Sequence, residues 1–405
     1  MARRQALTPT RFGGLTLEVR SAAAVFLISL ASACSSDASS AAADSAVNDS
    51  LAAGCCSARD SSCEIKCELP FTDEYIAPNI WGDVVTSTFC NERTRHCEVM
   101  SEHCINGWCL VPAGSFRAGS TVYVDLPVMT PAPHTAVATR SFWIQATEAT
   151  NAQWLEVMDA TLSPSALRAC GDDCPVADIN VFDIAEFANR LSQRDDLSVC
   201  YELVNCTAPD ALTGAKRLCD ALKFDDPDCD GYRLPTDIEW ELASRAGSSG
   251  CWHNGEGSYD YSPQCIQQSE PPLYKHGWWC ANSQVSYEGC EDMSDLGHDA
   301  TDCMGVHPVA QLPPNRLGLY DVAGNVMETT GTLLDPQDPG PTEGSVVVDS
   351  GHAAVVTAAD ATRTMGGNFA NGAGGTCAYS GGPSGVIQHK DFGFSGFRLV
   401  RTATD

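Results

Sequence analysis

The spacing of apolar and polar residues predicts three amphipathic helices. Apolar side chains recur every three to four residues in segments 151–160 and 181–192, and each segment follows a threonine or asparagine able to cap a helix. A third helix is predicted after Thr236, because Thr236 and Glu239 have the spacing of a capping box. We therefore expect three helices, each with one face packed against a core.

Elsewhere the pattern predicts short strands joined by long loops. Residues 108–118 have a strand-like alternation of apolar and polar residues on either side of a Pro-Ala-Gly turn, and residues 142–144 form a second strand-like run. The apolar run 317–320 predicts another strand, and the tight turn at residues 323–325 is expected to present the carboxylate of Glu328. The predicted fold class is α+β, with few regular elements and many loops.

The first 33 residues have the pattern of an export signal. Four arginines precede an apolar run at residues 22–33, which is shorter than the roughly 20 residues that span a bilayer. The run meets Cys34 in a context that resembles a bacterial lipoprotein processing site, and residues 34–54 form a flexible tether rich in serine and alanine. We expect Cys34 to be lipidated and the protein to be a cell-envelope lipoprotein, facing the periplasm or at the outer membrane. Cleavage after Ala33 and secretion is the alternative.

The cysteine content also favours an oxidising compartment. The chain has 21 cysteines, and 20 remain if Cys34 is lipidated. Eight lie in residues 55–109 and could form up to four disulfides, and twelve lie in residues 170–377 and could form up to six. The pairing stays open, and zinc is the competing explanation for closely spaced cysteines. We predict a small disulfide-rich module at residues 55–106 and a globular domain at residues 107–403.

The charge of the chain limits the classes of partner. The formal net charge is −28 at pH 7. Nucleic acid is not expected as a partner, because phosphate recognition needs a basic surface. Most of the acidic side chains are interpreted as a solvated surface, and local clusters as candidate sites for a divalent cation.

Four strings resemble the formylglycine-generating enzyme, or sulfatase-modifying factor, family, and they occur in the order of that family. They are FWIQATEATNAQW (142–154), YRLPTDIEWELASRAG (232–247), HPVAQLPPNRLGLYDVAGNVMETT (307–330) and GFSGFRLVR (393–401). The resemblance covers residues 107–403 and implies a variant of the C-type lectin fold. Because the same fold carries copper oxidases and proteins of no known activity, the resemblance leaves the chemistry open.

The resemblance implies copper chemistry only where two cysteines follow a glycine-rich string. In the family these cysteines lie five residues apart and hold Cu(I), a soft ion that favours thiolate. Here the matching string is 366–369, and the two copper positions are Asn371 and Thr376. Cys377 is adjacent to the second position, but one thiolate cannot reproduce a two-sulfur site. Copper is therefore not expected, and no catalytic residue is assigned.

The resemblance implies structural calcium instead. Residue-by-residue transfer gives the backbone of Ala323, Gly324 and Val326 and the side chain of Glu328 as ligands, which are oxygen donors suited to a hard cation. The alternative is that Glu328 pairs with an arginine such as Arg398. A weaker second calcium set consists of Asn282, the carbonyl of Ser283, and Asp302.

We interpret the chain as an exported, lipid-anchored binding or scaffold module without copper oxidase chemistry. Its ligand face is predicted in the glycine-rich residues 366–385, and the ligand would be a protein, peptide or glycan. The alternative, from another class, is an oxidase that converts a cysteine of a sulfatase-type target to formylglycine, or a related oxygen-dependent enzyme.

Overall fold

The computed structural model describes a chain of short helices and strands joined by loops. The described residues are 88–91, 96–99, 104–119, 132–158, 169–209, 216–224, 229–248, 250, 252–253, 276–287, 290–292, 303–333, 340–349, 351–370, 381–385 and 394–403. The export signal, Cys34 and the tether lie outside them. Within these residues, no helix is long and apolar enough to cross a bilayer.

Three helices lie within the described residues, where the apolar spacing predicts them. They are α1 (Asn151–Val157), α2 (Val181–Arg194) and α3 (Asp237–Arg245). The Thr236 hydroxyl accepts from the Glu239 N–H at 3.1 Å, and the Glu239 carboxylate accepts from the Thr236 N–H at 2.8 Å. The predicted capping box of α3 is therefore confirmed. Helix α1 ends before residue 160, because Met158 adopts extended backbone.

The strands are short and form several small sheets. They are β1 (Thr88–Asn91), β2 (His96–Val99), β3 (Cys104–Ile105), β4 (Trp108–Val111), β5 (Gly114–Ala118), β6 (His134–Ala138), β7 (Phe142–Gln145), β8 (Glu202–Val204), β9 (Ala221–Lys223), β10 (Glu291–Asp292), β11 (Cys303–Met304), β12 (Met327–Leu333), β13 (Val346–Val348), β14 (Val355–Val356), β15 (Ala361–Met365), β16 (Gly381–Gly385), β17 (Ser395–Gly396) and β18 (Val400–Thr402). The predicted strands at 108–118 and 142–144 are confirmed as β4, β5 and β7.

The strand order shows that distant parts of the chain share sheets. Two four-stranded sheets have the orders β16-β15-β12-β17 and β18-β7-β4-β3, and two three-stranded sheets have the orders β13-β6-β5 and β14-β9-β8. The pairs β1-β2 and β10-β11 complete the set within the described residues. Most neighbours are antiparallel, whereas β12 with β17 and β13 with β6 run parallel.

The segment around Glu328 differs from the sequence prediction. Residues 317–320, predicted as a strand, form a turn and an irregular segment, and the strand β12 follows the predicted turn instead. Gly324 has φ of 83° and Asn325 has φ of 56°, so the chain bends sharply here and then enters the sheet between β15 and β17. Glu328 is therefore presented from an interior strand, and the prediction that the turn presents it was wrong.

Buried apolar side chains form three large clusters. The first surrounds α1 and α2, where Trp154 stacks on Phe187 with 5.4 Å between ring centroids and Phe397 meets both rings edge-on. The second packs α3 against β4 to β7, and the third includes Trp279 and Phe369. Full burial of such an aromatic side chain stabilises the fold by about 2 kcal/mol. The C-terminal segment that carries Phe397 thus lies in the core.

Disulfides reinforce these small elements. Five pairs lie within the described residues, and each joins two cysteines of the same predicted group. They are Cys104–Cys109, Cys170–Cys174, Cys200–Cys229, Cys206–Cys219 and Cys290–Cys303. The first joins β3 to β4 across residue 107, where the globular domain was predicted to begin.

Candidate functional site

Glu328 lies in a buried network that joins distant parts of the chain. Its side chain is 1% exposed. Oε2 accepts hydrogen bonds from Trp240 Nε1 and Arg398 Nε, both at 2.6 Å, and Oε1 accepts from Arg398 Nη2 at 2.7 Å. The ion pair with Arg398, one of the two roles considered for Glu328, is therefore present.

The guanidinium of Arg398 is fully buried and satisfied. Besides its two bonds to Glu328, Nη1 donates to the carbonyls of Gln145 at 3.1 Å and Ala146 at 3.2 Å, and Nη2 donates to the carbonyl of Tyr320 at 2.8 Å. Burial lowers the pKa of Arg398, but the charge and hydrogen bonds of Glu328 together with the charges of Glu148 and Asp321 more than offset this effect, so the pKa is above its ordinary value. A charge can stay in the core here because every N–H has an acceptor.

Two further carboxylates lie close to this ion pair. Glu148 is fully buried, and it accepts from the Val326 N–H at 3.1 Å and from Asn325 Nδ2 at 2.8 Å. Burial and the charges of Asp321 and Glu328 raise the pKa of Glu148 well above its usual value. Burial also raises the pKa of Asp321 to about 6. Three carboxylates therefore surround one guanidinium.

This cluster of buried carboxyl groups bears on the predicted calcium site, because the raised pKa values of two of them show that their charged forms lack sufficient cationic partners. Ala323 and Gly324 form the turn beside the network, and Val326 follows it. The Oδ1 atom of Asp321 has no hydrogen-bond partner among the described residues, which fits a bound cation. Within the same residues no group of three or more His, Cys, Asp or Glu is arranged to hold a metal. Calcium would therefore depend on the backbone carbonyls and would share Glu328 with a guanidinium.

The described members of the weaker calcium set lie in a turn held by its own hydrogen bonds. Asn282 Oδ1 accepts from the Trp279 N–H at 2.8 Å, and the carbonyl of Ser283 accepts from the Gly305 N–H at 3.2 Å. Asp302 lies outside the described residues. Both oxygen atoms therefore already accept a backbone hydrogen bond, one within the turn and one from Gly305.

A stacked pair of rings next to the turn was not foreseen as a unit. Trp278 and His307 have ring centroids 3.7 Å apart and planes 8° apart. Asn325 positions both, because its N–H donates to the Trp278 carbonyl at 3.0 Å and its Oδ1 accepts from the His307 N–H at 2.9 Å. A Cβ on Gly324 would lie 1.6 Å from the Trp278 carbonyl oxygen, so this contact requires glycine. The Gly-Asn dipeptide indicated a tight turn in the sequence, but nothing in the sequence indicated that Trp278 and His307 would be its partners.

The string before the predicted copper positions has a defined frame. Gly366 has φ of 85° and Gly367 has φ of 68°, and a Cβ on Gly366 would lie 3.0 Å from the Trp240 ring. Phe369 is fully buried and packs edge-on against Phe394 with 4.5 Å between ring centroids. The chain therefore leaves a rigid base at this point. The candidate positions outside the described residues are Asn371, Thr376 and Cys377.

The fold and the family match define a class of protein. Short helices and small sheets with long connections are the architecture of formylglycine-generating-enzyme-like folds, a variant of the C-type lectin fold. Residues 97–403 match the family model described as the sulfatase-modifying factor enzyme 1-like domain. The chain belongs to this family, and the resemblance seen in its sequence is confirmed.

Three similarities place the chain among known proteins. It is 27% identical over 223 residues to a protein named chaperone protein LppX of Paenibacillus barcinonensis, covering 54% of this chain and 69% of the relative. It is 26% identical over 257 residues to the formylglycine-generating enzyme of Mycobacterium tuberculosis, covering 56% and 74%. The structure of Treponema denticola variable protein 1 aligns with a TM-score of 0.53 at 21% identity, covering 73% of this chain and 95% of that one. This last likeness shows the fold alone.

Proposed function

We propose that the chain is a binding or scaffold module of the sulfatase-modifying factor family without copper oxidase chemistry. The proposal rests on the absence of cysteine at both copper positions of the family. Asn371 and Thr376 offer an amide and a hydroxyl, which are hard donors, whereas Cu(I) needs soft thiolates. Cys377 adds at most one sulfur next to the second position, which is one fewer than a two-thiolate site needs.

The ligand face is proposed at residues 366–385. Gly366 and Phe369 anchor the start of this segment in the core, and its last five residues form β16 beside β15. The match to a relative named a chaperone supports a role in binding another protein. The export pattern at residues 1–33 and the processing context of Cys34 support a site of action at the cell envelope.

A structural calcium ion at the turn is part of the proposal. Its support is the cluster of three buried carboxyl groups beside the turn and the Oδ1 atom of Asp321, which has no hydrogen-bond partner among the described residues. Thermal unfolding should therefore move to lower temperature in EGTA and recover when calcium is added back. Asp321→Asn should respond less to EGTA than wild type. An EGTA effect of zero in wild type would refute calcium at this turn and leave the ion pair with Arg398 as the role of Glu328.

The alternative function is a formylglycine-generating oxidase with unfamiliar ligands. The family match and the relative from M. tuberculosis favour it. It requires copper or another oxygen-activating group at or near Cys377, so metal binding and oxygen uptake distinguish it from the binding module.

The test is an anaerobic Cu(I) titration of the full chain, followed by oxygen uptake with a cysteine-containing peptide of a sulfatase type. We expect wild type to bind no stoichiometric Cu(I) and to consume no oxygen. The double variant Asn371→Cys/Thr376→Cys restores two thiols at the family spacing and serves as the positive control for copper binding. Tight stoichiometric copper and peptide oxidation by wild type would overturn the proposal.

A further inference from the structure

Strand β13 exposes apolar side chains at the edge of a sheet. The order of that sheet is β13-β6-β5, so among the described residues β6 is the one neighbour of β13. Val346 is 60% exposed and Val348 is 56% exposed, while Val347 packs against the core. The alternation is that of a strand with one face in the core and one face in solvent.

The backbone N–H and carbonyl groups of Val346 and Val348 point to the side of β13 opposite to β6. The Thr135 N–H donates to the Ser345 carbonyl at 2.9 Å, and the Asp349 N–H donates to the Val137 carbonyl at 2.8 Å. Because alternate residues of a strand direct their backbone groups to opposite sides, residues 345, 347 and 349 face β6. Val346 and Val348 therefore direct two N–H and two carbonyl groups toward the open edge.

The charges around β13 select the kind of partner. Glu343 precedes the strand and Asp349 follows it, and both are exposed. Asp349 is held in place because its carboxylate accepts from the Thr139 N–H at 2.7 Å. The basic Arg117 lies two strands away, on β5 at the far edge. The buried Arg233 interacts with the charge of Asp349 but is already paired with Glu239 at 2.7 Å. With a net charge of −28, a second copy would bring like charges together at this edge, whereas a basic segment would be attracted.

We propose that β13 is a docking strand for an extended polypeptide segment with β-branched or apolar residues at alternate positions and lysine or arginine on both flanks. The segment would add a strand to the sheet by pairing with Val346 and Val348, and its basic flanks would lie near Glu343 and Asp349. This inference goes beyond the proposed function, because it concerns the sheet β13-β6-β5 and not the sheet that contains β15 and β16, and it does not depend on the absence of copper.

The test uses the full chain and a fluorescein-labelled peptide of alternating valine and threonine with two lysines at each end. Fluorescence anisotropy should show saturable binding that weakens as salt rises, and the same peptide with glutamates in place of lysines should bind at least tenfold more weakly. Val348→Pro should weaken binding at least about tenfold, because it removes an open-edge N–H that β6 does not use. Val346→Lys should weaken it as well, through loss of apolar contact and charge repulsion.

The control is Ile105→Thr, which removes an apolar side chain that is 58% exposed elsewhere on the surface. Its affinity should stay within about twofold of wild type, and circular dichroism should confirm that all variants are folded. If Val348→Pro does not fold, Val346→Lys decides alone. No binding by wild type, equal binding of the acidic peptide, or equal loss in Ile105→Thr would overturn the proposal. So would a dimer of wild type that Val346→Lys dissociates, since the edge would then serve a second copy.

Discussion

The buried carboxylate of Glu328 gives the sharpest prediction for stability. Glu328→Gln keeps the size of the side chain but removes its charge, so Arg398 loses the charged partner to which it is hydrogen-bonded and keeps only the more distant carboxyl groups of Glu148 and Asp321. Three hydrogen bonds of 2.6 to 2.7 Å end on this carboxylate, and two come from a guanidinium that is 0% exposed. Removing one partner of a buried pair costs about 3–5 kcal/mol. At about 2–4 °C per kcal/mol for a domain somewhat smaller than this one, the midpoint should fall by roughly 10 °C.

Urea and thermal unfolding followed by circular dichroism would measure this loss. The matched control is Glu156→Gln, because Glu156 pairs with Arg194 at 2.9 Å on the surface, where such a pair is worth less than about 1 kcal/mol. The double variant Glu328→Gln/Arg398→Met should be less destabilised than the sum of the two single changes, since it removes both charges. A Glu328→Gln protein within 1 kcal/mol of wild type would show that the ion pair does not hold the fold.

Two further predictions concern single positions. Gly324→Ala should lower the free energy of unfolding by more than about 2 kcal/mol, because φ is 83° and a Cβ would lie 1.6 Å from the Trp278 carbonyl oxygen. The control is Gly344→Ala, which has φ of 77° and open space around it and should cost about 1 kcal/mol. Equal losses in urea unfolding would refute the close contact at Gly324. Burial, with the charges of His276 and Arg316, lowers the pKa of His253 to about 3 from 6.5, so the folded state keeps this ring neutral while the unfolded chain takes up a proton. Stability should then fall as pH drops from 6.5 toward 3, by up to a few kcal/mol, and a His253→Gln variant with the same pH slope as wild type would count against this cause.

Local elements could be predicted from local signals, and long-range contacts could not. Thr236 and Glu239 lie three residues apart, so the capping box of α3 was visible in the sequence and is confirmed. Glu148 binds Asn325 across 177 positions of the chain, and no periodicity connects the two. Its role therefore appeared only when the fold brought the segments together.

The turn at Gly324 shows why the local context of Glu328 was misjudged. The apolar run 317–320 has strand-like composition, but several of its backbone groups are hydrogen-bonded to side chains and not to another strand. Arg398 Nη2 donates to the Tyr320 carbonyl, and the Leu319 N–H donates to Asn315 Oδ1 at 3.0 Å. A local side-chain contact and a long-range one thus together override the strand preference of this short apolar run. Arg398 was named in advance as one possible partner of Glu328, and the structure places it there.

Copper binding by the purified full chain tests the functional proposal most directly. Cu(I) should be titrated anaerobically against a competing chelator, and oxygen uptake should then be followed with a cysteine-containing peptide. We expect no stoichiometric copper and no uptake by wild type, with copper bound by Asn371→Cys/Thr376→Cys. One equivalent of tightly bound Cu(I) in wild type, together with oxidation of the peptide cysteine, would make the chain an oxidase and refute the proposed binding module.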